Sequence, residues 1–348
     1  MNRREFLGAG CCAMAGAQLA FAAPSSMTNL GLLLYSYGIR SRMERDRDFN
    51  DPVRFLQFAH ERGANAVQLP LGIRTADEAN LIRSTCDRLG LQIEGIVSPP
   101  KPTHSDRFQE ELKSVAACGA SIARIVMSGG RRYEIYEKNE QFLEFTRASL
   151  EVLQTADRTA SHVQVTLAVE NHKDYRVEEL VDVMKRLSSE WTGVCLDTGN
   201  NLALLEDPLN AVSALAPFAR TVHLKDMGLE ESENGFLLSE VPLGRGTLNL
   251  PSIVAIIRKA SPRARFHLEM ITRDPLSIPC LTEKYWATMP HVPGQDLART
   301  LKSIRSNQKN TPLPRVSSLK PEEQLAVEER HVRESFEFAA RTNLIPAV

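Results

Sequence analysis

From residue 31 onward, short aliphatic runs alternate with longer stretches whose apolar positions recur every three or four residues. The runs are 31–37 (GLLLYSY), 64–71 (ANAVQLPL), 91–97 (LQIEGIV), 123–128 (ARIVMS), 165–170 (VTLAVE), 193–197 (GVCLD), 219–224 (ARTVHL) and 265–270 (RFHLEM). Each predicts a strand. Between them, 51–63, 75–90, 105–119, 139–160, 176–190, 207–218 and 250–260 carry the helical period. The first of these opens on Asp-Pro and closes on Gly, the punctuation of a helix start and stop. One strand about every thirty residues is the spacing of a βα unit. Eight such units predict a closed (β/α)8 TIM barrel rather than a doubly wound sheet, which should carry a Gly-rich phosphate loop after its first strand. No such loop is present.

The barrel is expected over residues 24–307. Past 308 the alternation stops at a Pro-rich stretch (TPLPRVSSLKP), and a charged helical pattern follows over 321–342. Segment 308–348 thus predicts a linker and a helix appended to the barrel, with an interaction tail as the alternative.

Residues 1–23 break the pattern differently. Arg3-Arg4-Glu5-Phe6-Leu7 leads into a Gly/Ala-rich apolar run that closes on Ala20-Phe21-Ala22-Ala23. A charged start, a short apolar stretch and an A-x-A end describe an export signal and not a spanning helix. The arginine pair resembles the twin-arginine signal, which implies a folded passenger, a transient translocon partner and a periplasmic or otherwise exported product. A lipid anchor at Cys11 would leave only Phe6 to Gly10 as its apolar core, so no stable membrane anchor is expected. Cys86, Cys118, Cys195 and Cys280 lie beyond the signal; the first two fall in helical patterns and Cys195 in a strand, where free buried thiols are expected.

Composition is that of an ordinary globular chain: 348 residues, 43% hydrophobic and 24% charged, with 42 basic and 43 acidic side chains giving a net charge of −1. No global basic field draws such a chain to nucleic acid.

Chemistry collects at the ends of strands five to eight, the face on which barrel enzymes build their sites. These strands end in Glu170-Asn171-His172, Asp197-Thr198-Gly199-Asn200, His223-Leu224-Lys225-Asp226 and Glu269-Met270. Four metal-competent side chains on four consecutive strands are a specific signal. Three carboxylates and one imidazole suit a hard or borderline divalent ion, Mn²⁺ first, with Mg²⁺, Co²⁺ or Zn²⁺ as alternatives.

The strand ends VENH, CLDTGN, VHLKD and HLEM, with the Gly244-Arg245-Gly246 loop, resemble the xylose-isomerase-like TIM-barrel superfamily and its sugar phosphate isomerase/epimerase group. The resemblance covers roughly residues 28–305. It implies that Glu170, Asp197, His223 and Glu269 bind one divalent metal. It also implies that Glu170 and Glu269 move the proton through a cis-enediolate. Three positions depart from the ketose 3-epimerases and their relatives. Asn200 stands where those epimerases have His, Leu229 where they have Arg, and Gln68 where many relatives have Glu.

Elementary chemistry leads to the same reaction class. A proton beside a carbonyl is weakly acidic, and a Lewis acid on the carbonyl oxygen stabilises the enediolate as it forms. Two glutamates on opposite sides permit epimerisation or isomerisation of a free sugar or sugar derivative. The same carbanion permits β-elimination from a 3-keto-glycoside, a lyase reaction. A sugar-binding barrel without turnover is a further alternative. A phosphodiesterase like the apurinic endonucleases would need more His ligands and a basic groove, which the chain lacks. Among neighbouring residues, His172 contacts substrate or orients a ligand, and Asn200 donates to substrate or finishes a turn. Lys225 binds substrate or pairs with Asp226. Arg245 is a substrate contact on its loop. His267 is expected inside the barrel, Arg273 and Asp274 pair or reach substrate, and Tyr35 and Tyr37 stack on a sugar or fill the core. An oligomer is possible.

Overall fold

The computed structural model describes residues 28–44, 49–101, 105–306 and 312–347. The expected export signal at 1–23 lies outside the described residues.

Eight parallel strands close a barrel: Leu30–Leu33 (β1), Ala66–Pro70 (β2), Gln92–Ile96 (β3), Ile122–Ile125 (β4), Thr166–Glu170 (β5), Thr192–Asp197 (β6), Ala219–Leu224 (β7) and Arg265–Leu268 (β10). They pair in the order β1-β10-β7-β6-β5-β4-β3-β2 and back to β1. All eight coincide with the predicted runs, although the first is shorter. Residues Leu34–Tyr37 turn into a 3₁₀ helix instead of extending the strand. Helices cover the outside, and their ends follow local chemistry. Asp51 caps Pro52–Glu61 by accepting from the Arg54 N–H at 3.0 Å, and Thr75 and Glu78 form a capping box on Ala76–Leu89.

Period-two alternation decides what faces inward. Leu167, Val169, Val194, Leu196, Val222 and Leu224 pack in the core between sheet and helices. Their alternates Glu170, Cys195, Asp197, Thr221 and His223 are buried on the opposite face, inside the barrel. Register holds Asp197 beside His223 and His223 beside His267.

Three further strands form a separate antiparallel sheet: Asp226–Ser232 (β8), Gly235–Val241 (β9) and Leu276–Ile278 (β11), in the order β11-β9-β8. A second apolar cluster that includes Phe236, Leu238, Ile278 and Tyr285 backs this sheet. It sits on the loops after β7 and β10, and so on the face that carries the candidate ligands.

The C-terminal helix, Pro321–Thr342, packs on the barrel as an appended element. Val332, Phe336 and Ala339 join the main core. Its Glu328 carboxylate accepts the backbone N–H groups of Ile39 at 2.6 Å and Arg40 at 2.9 Å, which ties it to the short helix Gly38–Met43 that follows β1. Among the described residues no helix is long and apolar enough to cross a membrane. Cys86, Cys118, Cys195 and Cys280 are buried free thiols, as expected for the first three.

Candidate metal centre

Four strand ends bring Glu170, Asp197, His223 and Glu269 together. One ligand atom from each lies within 4.8 Å of every other, and all four side chains are buried. His223 Nδ1 sits 3.1 Å from Glu269 Oε2 and 3.4 Å from Glu170 Oε2. Cys195, one pleat deeper than Asp197, shares a second grouping with Glu170 and His223.

Cations neutralise the three carboxylates. The Arg124 guanidinium from β4 pairs with Glu170 Oε2, its Nε donating at 2.6 Å. Lys225 Nζ lies 2.9 Å from Asp197 Oδ2 and 3.0 Å from Glu269 Oε2. Burial opposes ionisation of Glu170, but Arg124 and His223 outweigh it and hold its pKa down at about 2. Burial likewise acts against the Glu269 carboxylate, yet Lys225 and His223 hold it well below the usual range. Asp197 goes the other way: burial dominates the attraction of Lys225 and lifts it to about 7. Burial also disfavours a charged His223, but Cys195, Glu269 and Glu170 keep its pKa well above the usual value.

The donor set fits a divalent ion on its own evidence. Asp197 Oδ2, His223 Nδ1 and Glu269 Oε2 are buried without a hydrogen bond of good geometry, and their near neighbours are one another and the Lys225 ammonium. Buried polar atoms left this way are costly unless something satisfies them. The other Asp197 oxygen is fixed, accepting the N–H groups of Gly199 at 2.9 Å and Asn200 at 2.8 Å. His223 is held from behind. Its Nε2 lies 2.7 Å from Gln68 Oε1, Gln68 Nε2 donates to Glu94 Oε2 at 3.0 Å, and Glu94 is flanked by His267 at 3.1 Å and Arg265 at 3.2 Å.

Asn200 is brought into the site. Its Nδ2 donates to Glu170 Oε1 at 3.2 Å, and its Oδ1 accepts from Lys225 at 3.2 Å and from Lys173. His172 stands half-buried beside the centre with its Nδ1 unbonded, and burial together with the Lys173 charge pushes its pKa down to about 4. Tyr35 is 38% exposed, with Arg124 6.0 Å from its ring centre, whereas Tyr37 is fully buried and bonded to Glu329 and Arg62.

Three expectations need correction. Lys225 does not pair with Asp226. The Asp226 carboxylate instead accepts four backbone N–H groups, from Met227, Gly244, Gly246 and Leu248 at 2.8–3.1 Å. A Cβ on Gly246 would lie 2.0 Å from Asp226 Oδ1, so only glycine allows this approach. Arg245 is not brought to the cluster. The loop works through its backbone, and the Arg245 guanidinium points outward to Glu334 of the C-terminal helix at 3.1 Å. Arg273 and Asp274 do not pair with each other either. Arg273 binds Glu240 of β9 at 2.6 and 3.2 Å, while Asp274 accepts the N–H groups of Val316 and Ser317.

Arg124, Lys173 and Glu240 were not singled out in the sequence. Glu240 had a usable signal, because Asn234-Gly235 between two alternating runs marks a hairpin. A lone Arg in a strand and a lone Lys in a loop carry none.

Known proteins agree with this architecture. A 3-oxo-isoapionate decarboxylase from Pectobacterium atrosepticum is 29% identical over 96 residues, 27% of this chain, and the match spans only 35% of that enzyme. A D-psicose 3-epimerase solved in the presence of D-fructose superposes with a TM-score of 0.60 at 14% identity, covering 91% of this chain and 99% of that one. A xylose isomerase-like TIM barrel protein from Mycobacterium smegmatis, solved in complex with magnesium, gives 0.55 at 15% identity, covering 78% and 97%. At these identities the structural likeness is one of fold. The model of the xylose isomerase-like TIM barrel family matches residues 56–300, and the chain belongs to that family.

Proposed function

We propose that the protein is a divalent-metal-dependent isomerase or epimerase of a free sugar or sugar derivative, moving a proton beside a carbonyl through an enediolate. The observation that carries this reading is the pair Glu170 and Glu269, both buried and held ionised, with the unbonded His223 Nδ1 between them. Glu170, Asp197, His223 and Glu269 would hold the ion, which when bound supplies Lewis-acid stabilisation of the developing enediolate. Arg124 keeps Glu170 a carboxylate, the form in which a general base must start. Glu269 approaches from the other side of His223 and can return a proton to the opposite face. Lys225 and Asn200 place hydrogen-bond donors beside both glutamates, where negative charge on substrate oxygens develops. The likeness to a sugar 3-epimerase supports this reading.

A lyase is the second reading, favoured by the sequence match to a decarboxylase. Loss of CO₂ or of a β-leaving group from a 3-keto compound passes through the same kind of carbanion. NMR in D₂O with a panel of ketoses and 3-keto-glycosides separates the two. An isomerase or epimerase places deuterium on the carbon beside the carbonyl, and a lyase releases an alcohol, a sugar or CO₂. Full activity in both Glu170→Gln and Glu269→Gln would overturn the proton-transfer reading itself.

We also propose export by the twin-arginine route, which the arginine pair at Arg3 and Arg4 supports. Arg3→Lys with Arg4→Lys should leave the protein in the cytoplasm, and unchanged periplasmic delivery would contradict this.

A further inference from the structure

Beside the four candidate ligands lies a group of cations that the reaction described above does not use. Lys173, three residues beyond Glu170, is 2% exposed. Its ammonium donates to Asn200 Oδ1, the same oxygen that takes Lys225 at 3.2 Å. Two ammonium groups thus share one neutral acceptor. Among the described residues no carboxylate lies within 4.0 Å of the Lys173 ammonium, which makes it a buried charge without an ion pair. A buried charge of this kind is costly unless a counter-charge arrives. Arg273, one-third exposed, reaches in from the loop after β10. The one acid within this group is Glu240, which takes Arg273 at 2.6 Å and Lys225 at 3.7 Å.

Four cationic side chains, Arg124, Lys173, Lys225 and Arg273, stand around the centre. Three of them have carboxylate partners there: Arg124 has Glu170, Lys225 has Asp197 and Glu269, and Arg273 has Glu240. Glu94, Arg265 and His267 form their own group deeper in the barrel. A divalent ion taken up by Asp197 and Glu269 would compete with Lys225 for those carboxylates. Lys173 alone of the four has no carboxylate partner among the described residues.

We propose that the substrate carries a carboxylate, and that Lys173, with Arg273 at the mouth, forms the subsite that binds it. The proposal rests on the metal-dependent reading and names its substrate class: a sugar acid. Asn200 puts the subsite next to the candidate ligands, because its Nδ2 touches Glu170 and its Oδ1 touches Lys173. A carboxylate suits the site better than a phosphate, since Lys173 is a single buried donor and Glu240 already occupies the fork of Arg273.

Calorimetric titration of Mn²⁺-loaded protein with matched ligands tests this. The sets are hydroxypyruvate, dihydroxyacetone and dihydroxyacetone phosphate, then 2-keto-D-gluconate, D-fructose and D-fructose 6-phosphate. The acid of each set should bind at least about tenfold tighter than its neutral counterpart, and tighter than the phosphate. Lys173→Met should remove that preference and leave the neutral ligands within about twofold. Mn²⁺ affinity, measured separately by chelator competition, should be unchanged in Lys173→Met. Acids bound no tighter than neutral sugars, phosphates bound tightest, or a Lys173→Met variant with its preference intact would each overturn the carboxylate subsite. Loss of Mn²⁺ binding in the wild-type protein would instead overturn the reading on which it rests.

Discussion

His223 donates its Nε2 proton to Oε1 of Gln68 at 2.7 Å, and this bond decides which ring nitrogen faces the carboxylates. The direction follows from the far end of the chain of contacts. Burial opposes ionisation of Glu94, but His267 and Arg265 hold its pKa down at about 2, so it accepts only. The Gln68 amide must turn its NH₂ toward Glu94 and its oxygen toward His223. Nδ1 is left to face Glu170 and Glu269. A glutamate at 68 would crowd a second carboxylate against Glu94.

Gln68→Leu removes that support without touching any of the four candidate ligands. Metal affinity should fall by about 10- to 100-fold, the usual effect of freeing a ligating imidazole from its outer partner. Competition with a fluorescent chelator measures it, and an unchanged affinity would show that the Gln68 bond does not orient the ring.

Glu170→Gln and Glu269→Gln keep the shape of each side chain but not its ability to take a proton. Each should lower kcat by about 10² to 10⁴ while KM moves only a few-fold. A rise in KM with kcat intact would assign these glutamates to substrate binding alone.

Glu328 couples the C-terminal helix to pH. Burial raises its carboxyl to about 7 against the opposing bonds from Arg40 and Ile39. The folded chain therefore holds this proton more tightly than the unfolded chain, whose glutamate titrates near 4.3. That contribution is fully present below the unfolded value and is lost as pH rises through about 7. Relative to Glu328→Gln, the wild-type protein should lose about 1–3 kcal/mol of stability between pH 4.5 and pH 8. Urea midpoints across this range check it, and a difference that does not vary with pH would contradict it.

The barrel was legible because its signal is repeated. Each strand is an aliphatic run and each helix an amphipathic period, so errors of one or two residues at an end leave the topology intact. Glu170, Asp197, His223 and Glu269 were legible for the same reason, as four strand ends with one kind of chemistry. The β8–β9 hairpin was not read. It begins at Asp226, with only Lys225 between it and the end of β7, and sits where a barrel is expected to have a loop. With it went Glu240, and with Glu240 the partner of Arg273. Lys173, Arg124 and Gln68 matter through contacts with residues distant in sequence, Asn200, Glu170 and His223, and local sequence does not encode those. Arg245 failed in the opposite sense. Its position in a glycine loop resembled a binding role, but the loop serves Asp226 through its backbone.

The central claim is that these four side chains hold one divalent ion. Titrating chelator-stripped protein with Mn²⁺, with bound metal counted by elemental analysis after desalting, tests it most directly. The account predicts one ion per chain in the wild-type protein and in Lys173→Met, with affinity reduced at least about 100-fold in His223→Ala and in Glu269→Gln. No stoichiometric metal in the wild-type protein, or the same affinity in all four proteins, would contradict it.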